Sequence, residues 1–275
     1  MCAPIAEKYT ALKDYLRQFD SVIIAFSGGI DSSLVAYVAA EVLGDRALAV
    51  TSGSRSLKRS DLQLARQLAE KWGMQHDVIV TDELFNPAYR ANPVDRCFHC
   101  KTSLYDALAD IARKRGFQQI LNGTNCDDLR DHRPGLIAAD NYHVKSPLVA
   151  TGFHKADIRE LAAALGLENA DKPQAACLSS RFPYGSPIDE ARLNQVEQAE
   201  NILAELGFSQ FRVRHHEEIA RLELLPEEFS RALEFKNTLQ ARLRECGYRF
   251  VTLDLGGFRS GSLNEGISKP ERVRE

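Results

Sequence analysis

The sequence predicts an α/β fold, a parallel sheet with helices on both faces, followed by a small α+β domain. In the first half, short β-rich apolar runs alternate with helical patterns at the spacing of βαβ units. A glycine-rich turn stands directly between the first such run and the first helix. After residue 185 the pattern changes to a helix, two alternating strands, a second helix and a last strand. The 275 residues, 44% hydrophobic and 27% charged, have the balance of a soluble globular protein with room for a proper core.

The elements follow in order. Residues 21–26 read as a short buried strand, and a helix then runs through 34–40 to Gly44. Residues 47–51 are the second strand. Residues 60–72 put Leu62, Ala65, Leu68 and Ala69 on one helical face, closed by Gly73. Residues 77–81 form a third strand, 102–115 a helix and 119–121 a fourth strand. Residues 146–149 are expected to add a short strand before a helix at 155–165. The first domain is placed at 1–168. Residues 169–185 have no period and read as a linker or site loop. The second domain, 186–275, opens on Ser186-Pro187 as helix cap and first helical residue, with that helix running to Leu206. Strands at 211–215 and 219–224 follow, then a helix over 227–245 burying Phe229, Leu233 and Leu239, then a strand at 249–255.

Charge and cysteine content narrow the function. The net charge of −3 argues against general nucleic-acid binding. No apolar run reaches the ~20 residues of a membrane span, and residues 1–20 mix charges with apolar residues unlike a signal peptide. Six cysteines are too few for a disulfide scaffold in this length, so a reducing cytoplasm with free or metal-bound thiols is expected.

Ser27-Gly28-Gly29-Ile30-Asp31-Ser32 lies between the first strand and the first helix. Two glycines let backbone N–H groups approach an anion, and the helix aims its positive end at the same point. Ser27 and Ser32 add hydroxyls, and Asp31 suits such a cradle if magnesium accompanies a polyphosphate. The plain alternative is a glycine-rich turn capping a helix. The six residues resemble the PP-loop of ATP pyrophosphatases, which implies ATP and adenylation of an oxygen with release of pyrophosphate. Ser52 follows the second strand, where PP-loop proteins bind adenine and ribose. Gly123 and Asp128 follow the fourth strand, Asp128 as a second carboxylate for magnesium.

Cys97 and Cys100, two residues apart at a helix start, can grip one metal, and Cys177 is the other cysteine in a site-like segment. Three thiolates suit an iron–sulfur cluster with one open iron. Zinc on the same thiols plus His99, or a redox pair, are the alternatives.

Larger segments carry a more specific resemblance: the 27–32 loop, Asp131-His132-Arg133-Pro134-Gly135, the run from Cys177 to Gly185, Phe211-Arg212-Val213-Arg214 and the run from Val251 to Gly261. Together they resemble the LarE family of sulfur transferases over nearly the whole chain. The resemblance implies a PP-loop domain of the adenine nucleotide alpha-hydrolase-like fold. It also implies adenylation of the carboxylates of a pyridinium biscarboxylic acid mononucleotide, conversion to thiocarboxylates, and a homo-oligomer. By the same resemblance, Cys97, Cys100 and Cys177 hold a four-iron four-sulfur cluster whose extra sulfide is the donor. The family's other chemistry sacrifices the cysteine matching Cys177. Ser180, Arg212 and Arg214 are implied to bind the substrate phosphate, with Arg181 beside them; arginine suits phosphate and carboxylate through paired bonds. The sulfur comes from sulfide or a donor system. Rival readings are a tRNA thiolase, an ammonia-using amide synthetase, and a nucleotide-sensing or cluster-scaffold protein.

Overall fold

The computed structural model describes residues 2–130, 134–172, 176–259 and 261–264. Asp131, His132, Arg133 and Ser260 of the family-like segments lie outside them, as do 265–275 of the predicted second domain. The chain divides into two compact units, Met1–Cys177 and Leu178–Glu275. The division falls inside the 169–185 segment.

The first unit is built on four parallel strands in the order β3-β2-β1-β4: β1 Val22–Ala25, β2 Ala47–Ser52, β3 Gln75–Ile79 and β4 Gln119–Leu121. Alternation along β1 divides the core. Val22, Ile24 and Phe26 join helices α1 (Ala3–Arg17), α2 (Ile30–Leu43), α3 (Arg59–Lys71) and α8 (Lys155–Ala164) on one face. Ile23 joins Leu48, Val50 and Ile120 with α5 (Arg96–Arg115) and α6 (Pro134–Asn141) on the other. Between these helices lie the single turns α4 (Pro87–Arg90) and α7 (Pro147–Ala150). Helices on both faces of a parallel sheet are what the alternating pattern predicts.

The second unit has helix α9 (Glu190–Glu205), strands β5 (Phe211–His216) and β6 (Ile219–Leu224), helices α10 (Phe229–Glu234) and α11 (Lys236–Glu245), and strand β7 (Phe250–Leu253). β5 and β6 are antiparallel, and β7 lies parallel to β6. One sheet face, with Val213, Ala220, Leu222 and Leu224, packs on α9 and α11. The period-two pattern leaves Arg212, Arg214 and Glu223 on the other face.

Several expectations are corrected. The strand expected at 146–149 is the helical turn α7. Pro147 cannot donate to a ladder but suits a helix start, and only the bridge Leu121↔Lys145 extends the sheet here. α5 begins at Arg96, so both Cys97 and Cys100 are helical. α9 starts at Glu190 because the Asp189 carboxylate accepts the Arg192 amide at 2.8 Å. β3 runs Gln75–Ile79, earlier than expected, since Thr81 turns away to bond Ser52 and Glu83. The helix over 227–245 breaks at Phe235. The break changes the helical phase, so Ala232, Leu239 and Leu243 face the core and Leu233 is 63% exposed.

His215 is buried between the rings of Phe182 and Tyr248, with Nδ1 3.1 Å from the Tyr248 hydroxyl. Burial, then Arg192 and His216, lower its pKa to about 4 from the ordinary 6.5. The unfolded chain therefore takes up a proton that the folded chain excludes. Stability is full above pH 6.5 and falls as pH drops toward about 4. His216, lowered by burial and Arg221, adds to the same slope. Urea unfolding of a His215→Leu chain should show a shallower loss of stability between these pH values than the parent; an unchanged slope would contradict the assignment.

Candidate functional site

Three groups of candidate functional side chains are assembled locally. The first is the phosphate loop at the C-terminal end of β1. Gly28 takes φ +70°, which favours glycine, and a Cβ there would press on the Ala65 backbone at 3.3 Å. Ser32 Oγ donates to the Gly29 carbonyl at 3.0 Å, lies 3.1 Å from Ser27 Oγ and accepts the Ser27 amide at 3.2 Å. No side chain caps α2 at Gly29, so its first turn offers backbone donors and the positive end of the helix dipole to an anion.

Gly123, at the end of β4, packs onto that turn. A Cβ there would stand 2.5 Å from Ser32 N and 2.8 Å from Ser32 Cα, so only glycine fits. Asn125 links two of the sequence-selected carboxylates. Its side-chain amide donates to Asp31 at 3.4 Å, and its backbone amide donates to Asp128 at 3.1 Å. Ser52, at the end of β2, bonds Thr81 at 2.7 Å.

Sequence reasoning missed two residues here. Lys155 Nζ donates to both oxygens of Asp31, at 2.7 and 2.6 Å. It stands at the start of α8, and nothing local marks it as the partner of a residue 124 positions away. Asn169, buried, donates to the Gly28 carbonyl at 2.9 Å and to Ser33 Oγ at 2.8 Å, clamping the loop from behind.

The second group is the thiols. α5 carries Cys97, Cys100 and Lys101 at i, i+3 and i+4, hence on one face. Cys177 lies within electrostatic range of both cysteines and of Lys101. Burial, then the charge of Glu83 and the Cys177 thiol, push Cys100 up to about 12. Burial and Cys177 raise Cys97 against the opposing pull of Arg96 and Lys101. Without a metal, the Cys100 thiol is thus protonated and weakly nucleophilic at neutral pH. Glu83, also missed from sequence, is buried and accepts the Thr81 and Ser56 hydroxyls. His99 is two residues from Cys97 and so off the thiol face; its ring is 3.9 Å from Asp95.

Among the described residues, no group of three or more His, Cys, Asp or Glu is drawn together around a single ion. The thiols are donors of the kind an iron–sulfur cluster uses. Three soft thiolates suit iron–sulfur chemistry, cubane ligands stand farther apart than the ligands of one ion, and His99 is off the face where zinc would need it.

The third group is in the second unit, where the structure brings Ser180, Arg181, Arg212 and Arg214 together. Arg181 forks onto Glu200 at 2.7 and 3.0 Å and reaches Ser180 Oγ at 2.9 Å. Arg214 forks onto Glu223 at 2.9 and 3.0 Å and donates to the Ser180 carbonyl at 2.5 Å. Both pairs are almost fully buried. Arg212, half-buried, lies over the Phe258 ring at 4.7 Å and donates to the Arg259 carbonyl. No ion pair of Arg212 with a carboxylate occurs among the described residues. Burial, then Arg214 and Arg181, lower its pKa, the mark of a cation held among cations. Among the described residues, the guanidiniums of Arg181, Arg212, Arg214 and Arg221 face the carboxylates of Glu200, Glu223 and Asp254, a charge balance suited to an anion.

Comparisons with known proteins bear on these groups. The NAD synthase family model matches residues 5–98, which include the phosphate loop. An uncharacterized protein of Synechocystis is 41% identical over 267 residues, covering 96% of this chain and all of that protein. The pyridinium-3,5-bisthiocarboxylic acid mononucleotide synthase of Lactiplantibacillus plantarum is 38% identical over 270 residues, 98% of each chain. A tRNA-specific 2-thiouridylase of Rickettsia rickettsii is 28% identical over 222 residues, covering 66% of this chain and 60% of that protein. The similarity to the mononucleotide synthase runs through both units, and the chain belongs to its family, the LarE sulfur transferases of the PP-loop superfamily.

Proposed function

We propose that the chain is an ATP-dependent sulfur transferase that adenylates the carboxylates of pyridinium-3,5-biscarboxylic acid mononucleotide and converts them to thiocarboxylates. The observation that carries the mechanism is the grouping of Cys97, Cys100 and Cys177, with the two helical cysteines on one face of α5. The substrate follows from similarity to the Lactiplantibacillus synthase over 98% of both chains. The thiouridylase similarity covers 60% of that protein, which favours the small nucleotide over tRNA.

In this reading the amides of the Ser27–Ser32 loop and the N-terminus of α2 bind the pyrophosphate part of ATP, and Asp31, with Asp128, holds magnesium. Lys155, which pairs with Asp31 in this structure, would then be available to the phosphates. A substrate carboxylate oxygen attacks the α-phosphorus and pyrophosphate leaves with its charge already matched. Arg212, with Ser180 and Arg214, grips the mononucleotide phosphate. Arg181 holds the Ser180 hydroxyl in place. A four-iron four-sulfur cluster on the three thiols supplies, when bound, an open iron for an extra sulfide, the sulfur donor. AMP is the second leaving group.

Two variants separate the halves of this scheme. Asp31→Ala should lose ATP–pyrophosphate exchange while keeping mononucleotide affinity; wild-type exchange would remove Asp31 from the mechanism. Arg212→Ala should weaken mononucleotide binding by about one to two decades, the worth of a charge-assisted bond, with ATP binding unchanged. Titration calorimetry with each ligand reads both, and full mononucleotide affinity in the Arg212 variant would place that arginine outside the site.

A further inference from the structure

Glu83 is a buried carboxylate that the proposed chemistry has not used. It is 1% exposed, so its oxygens need donors from within the protein. Thr81 Oγ1 donates to Oε2 at 2.5 Å, and Ser56 Oγ donates to Oε1 at 3.3 Å. Two more serines stand behind these. Ser52 Oγ is 2.7 Å from Thr81 Oγ1, and Ser54 Oγ is 2.7 Å from Ser56 Oγ. The turn that carries the serines is itself pinned. The Gly53 amide donates to the Ile79 carbonyl at 2.7 Å, and the Arg59 guanidinium donates to the carbonyls of Gly53 at 3.2 Å and Leu57 at 3.0 Å.

The carboxylate sets the direction of the protons. A carboxylate only accepts, and a hydroxyl has one proton to give. Thr81 gives its proton to Glu83, so Ser52 is the donor in the bond between Ser52 and Thr81. Ser52 Oγ has then used its own proton and presents lone pairs alone. The other branch closes on itself: Ser56 donates to Glu83, Ser54 donates to Ser56, and the Ser56 amide returns to Ser54 Oγ at 3.1 Å. Ser52 is the open end, since among the described residues its half-buried hydroxyl bonds Thr81 alone.

The open end lies beside the phosphate loop. β1 and β2 are neighbours, with Ala25 opposite Val50. Two residues past that pair, β2 ends at Ser52 and the chain leaving β1 enters the loop at Ser27. Neighbouring strands stand about 4.8 Å apart, which puts Ser52 within one nucleotide's span of the loop. Resting on the ATP reading above, we infer that Ser52 is a dedicated hydrogen-bond acceptor for the nucleoside of ATP, and that Glu83, acting through Thr81, is the positioning residue that makes it one. Such an acceptor selects a donor, which in ATP is a ribose hydroxyl or the exocyclic amine of adenine. It penalises a nucleotide offering fluorine or a carbonyl oxygen at that point, because two acceptors then meet with no proton between them.

The test is calorimetric titration of the full chain, with magnesium, as wild type, Ser52→Ala, Thr81→Val and Thr81→Ser. The ligands are ATP, its 2′-fluoro and 3′-fluoro analogues and inosine triphosphate. Wild type should bind one of the three analogues about tenfold more weakly than ATP, and which one names the donor that Ser52 reads. Ser52→Ala should bind that analogue and ATP alike. Thr81→Val frees the Ser52 proton for the ligand, so the penalty should shrink, whereas Thr81→Ser keeps the relay and the wild-type penalty. Thr81→Ala repeats the reading if the valine chain does not fold. The inference is overturned, with the ATP reading left standing, if wild type binds all four nucleotides alike or if Ser52→Ala keeps the wild-type penalty. A full penalty in Thr81→Val, or in Thr81→Ala in its place, overturns the relay from Glu83. Wild-type protein that binds no ATP overturns the ATP reading itself, and the inference with it.

Discussion

The first unit turns on the contact between Gly123 and the first turn of α2. Pairing of β4 with β1 brings the end of one strand against the phosphate loop that follows the other, and a Cβ at 123 would lie 2.5 Å from the Ser32 nitrogen. That approach fixes the loop from one side while Asn169 holds the Gly28 carbonyl from another. The chain just beyond Gly123 then delivers Asn125 to Asp31, and the helix before β4 is α5, which carries the cysteines. The thiol-bearing helix and the turn that packs on the Ser27–Ser32 loop are thus consecutive in the chain and joined through one strand.

The second unit solves a different problem, holding arginines in a nearly dry environment. Glu200 and Glu223 each accept a forked pair of bonds, from Arg181 and Arg214. Breaking such a buried pair by removing one partner costs about 3–5 kcal/mol, because the other charge is left unmatched. These pairs hold the cluster in place, and Arg212, held by a carbonyl and the Phe258 ring, has no carboxylate partner among the described residues. Under the proposed function, a cluster held in this way needs little reorganisation to receive the substrate phosphate.

The parts legible in the sequence are those set by local chemistry. The Ser27–Ser32 loop needs glycines and a following helix, and both stand within a few residues. Arg212 and Arg214 share a strand face by period two alone. The pairing of Lys155 with Asp31 and of Arg181 with Glu200 arises from folding, and no periodicity reports it. Glu83 stands in no motif, yet the Thr81 and Ser56 hydroxyls close on it, themselves bonded to Ser52 and Ser54. Pro147 misled the reading of 146–149 because its apolar neighbours look strand-like while the proline favours a helical turn. Leu233 misled it because a break at Phe235 is invisible in a continuous helical pattern.

The central claim is that sulfur passes through Cys97, Cys100 and Cys177 as cluster ligands and leaves the chain itself unaltered. The direct measurement is the intact mass of cluster-loaded protein before and after reaction with ATP, mononucleotide and sulfide, beside a count of thiocarboxylate formed per chain. The account predicts several sulfurs transferred per chain and an unchanged mass. Dehydroalanine at position 177 accumulating in step with product, with no more than one sulfur per chain, would contradict it.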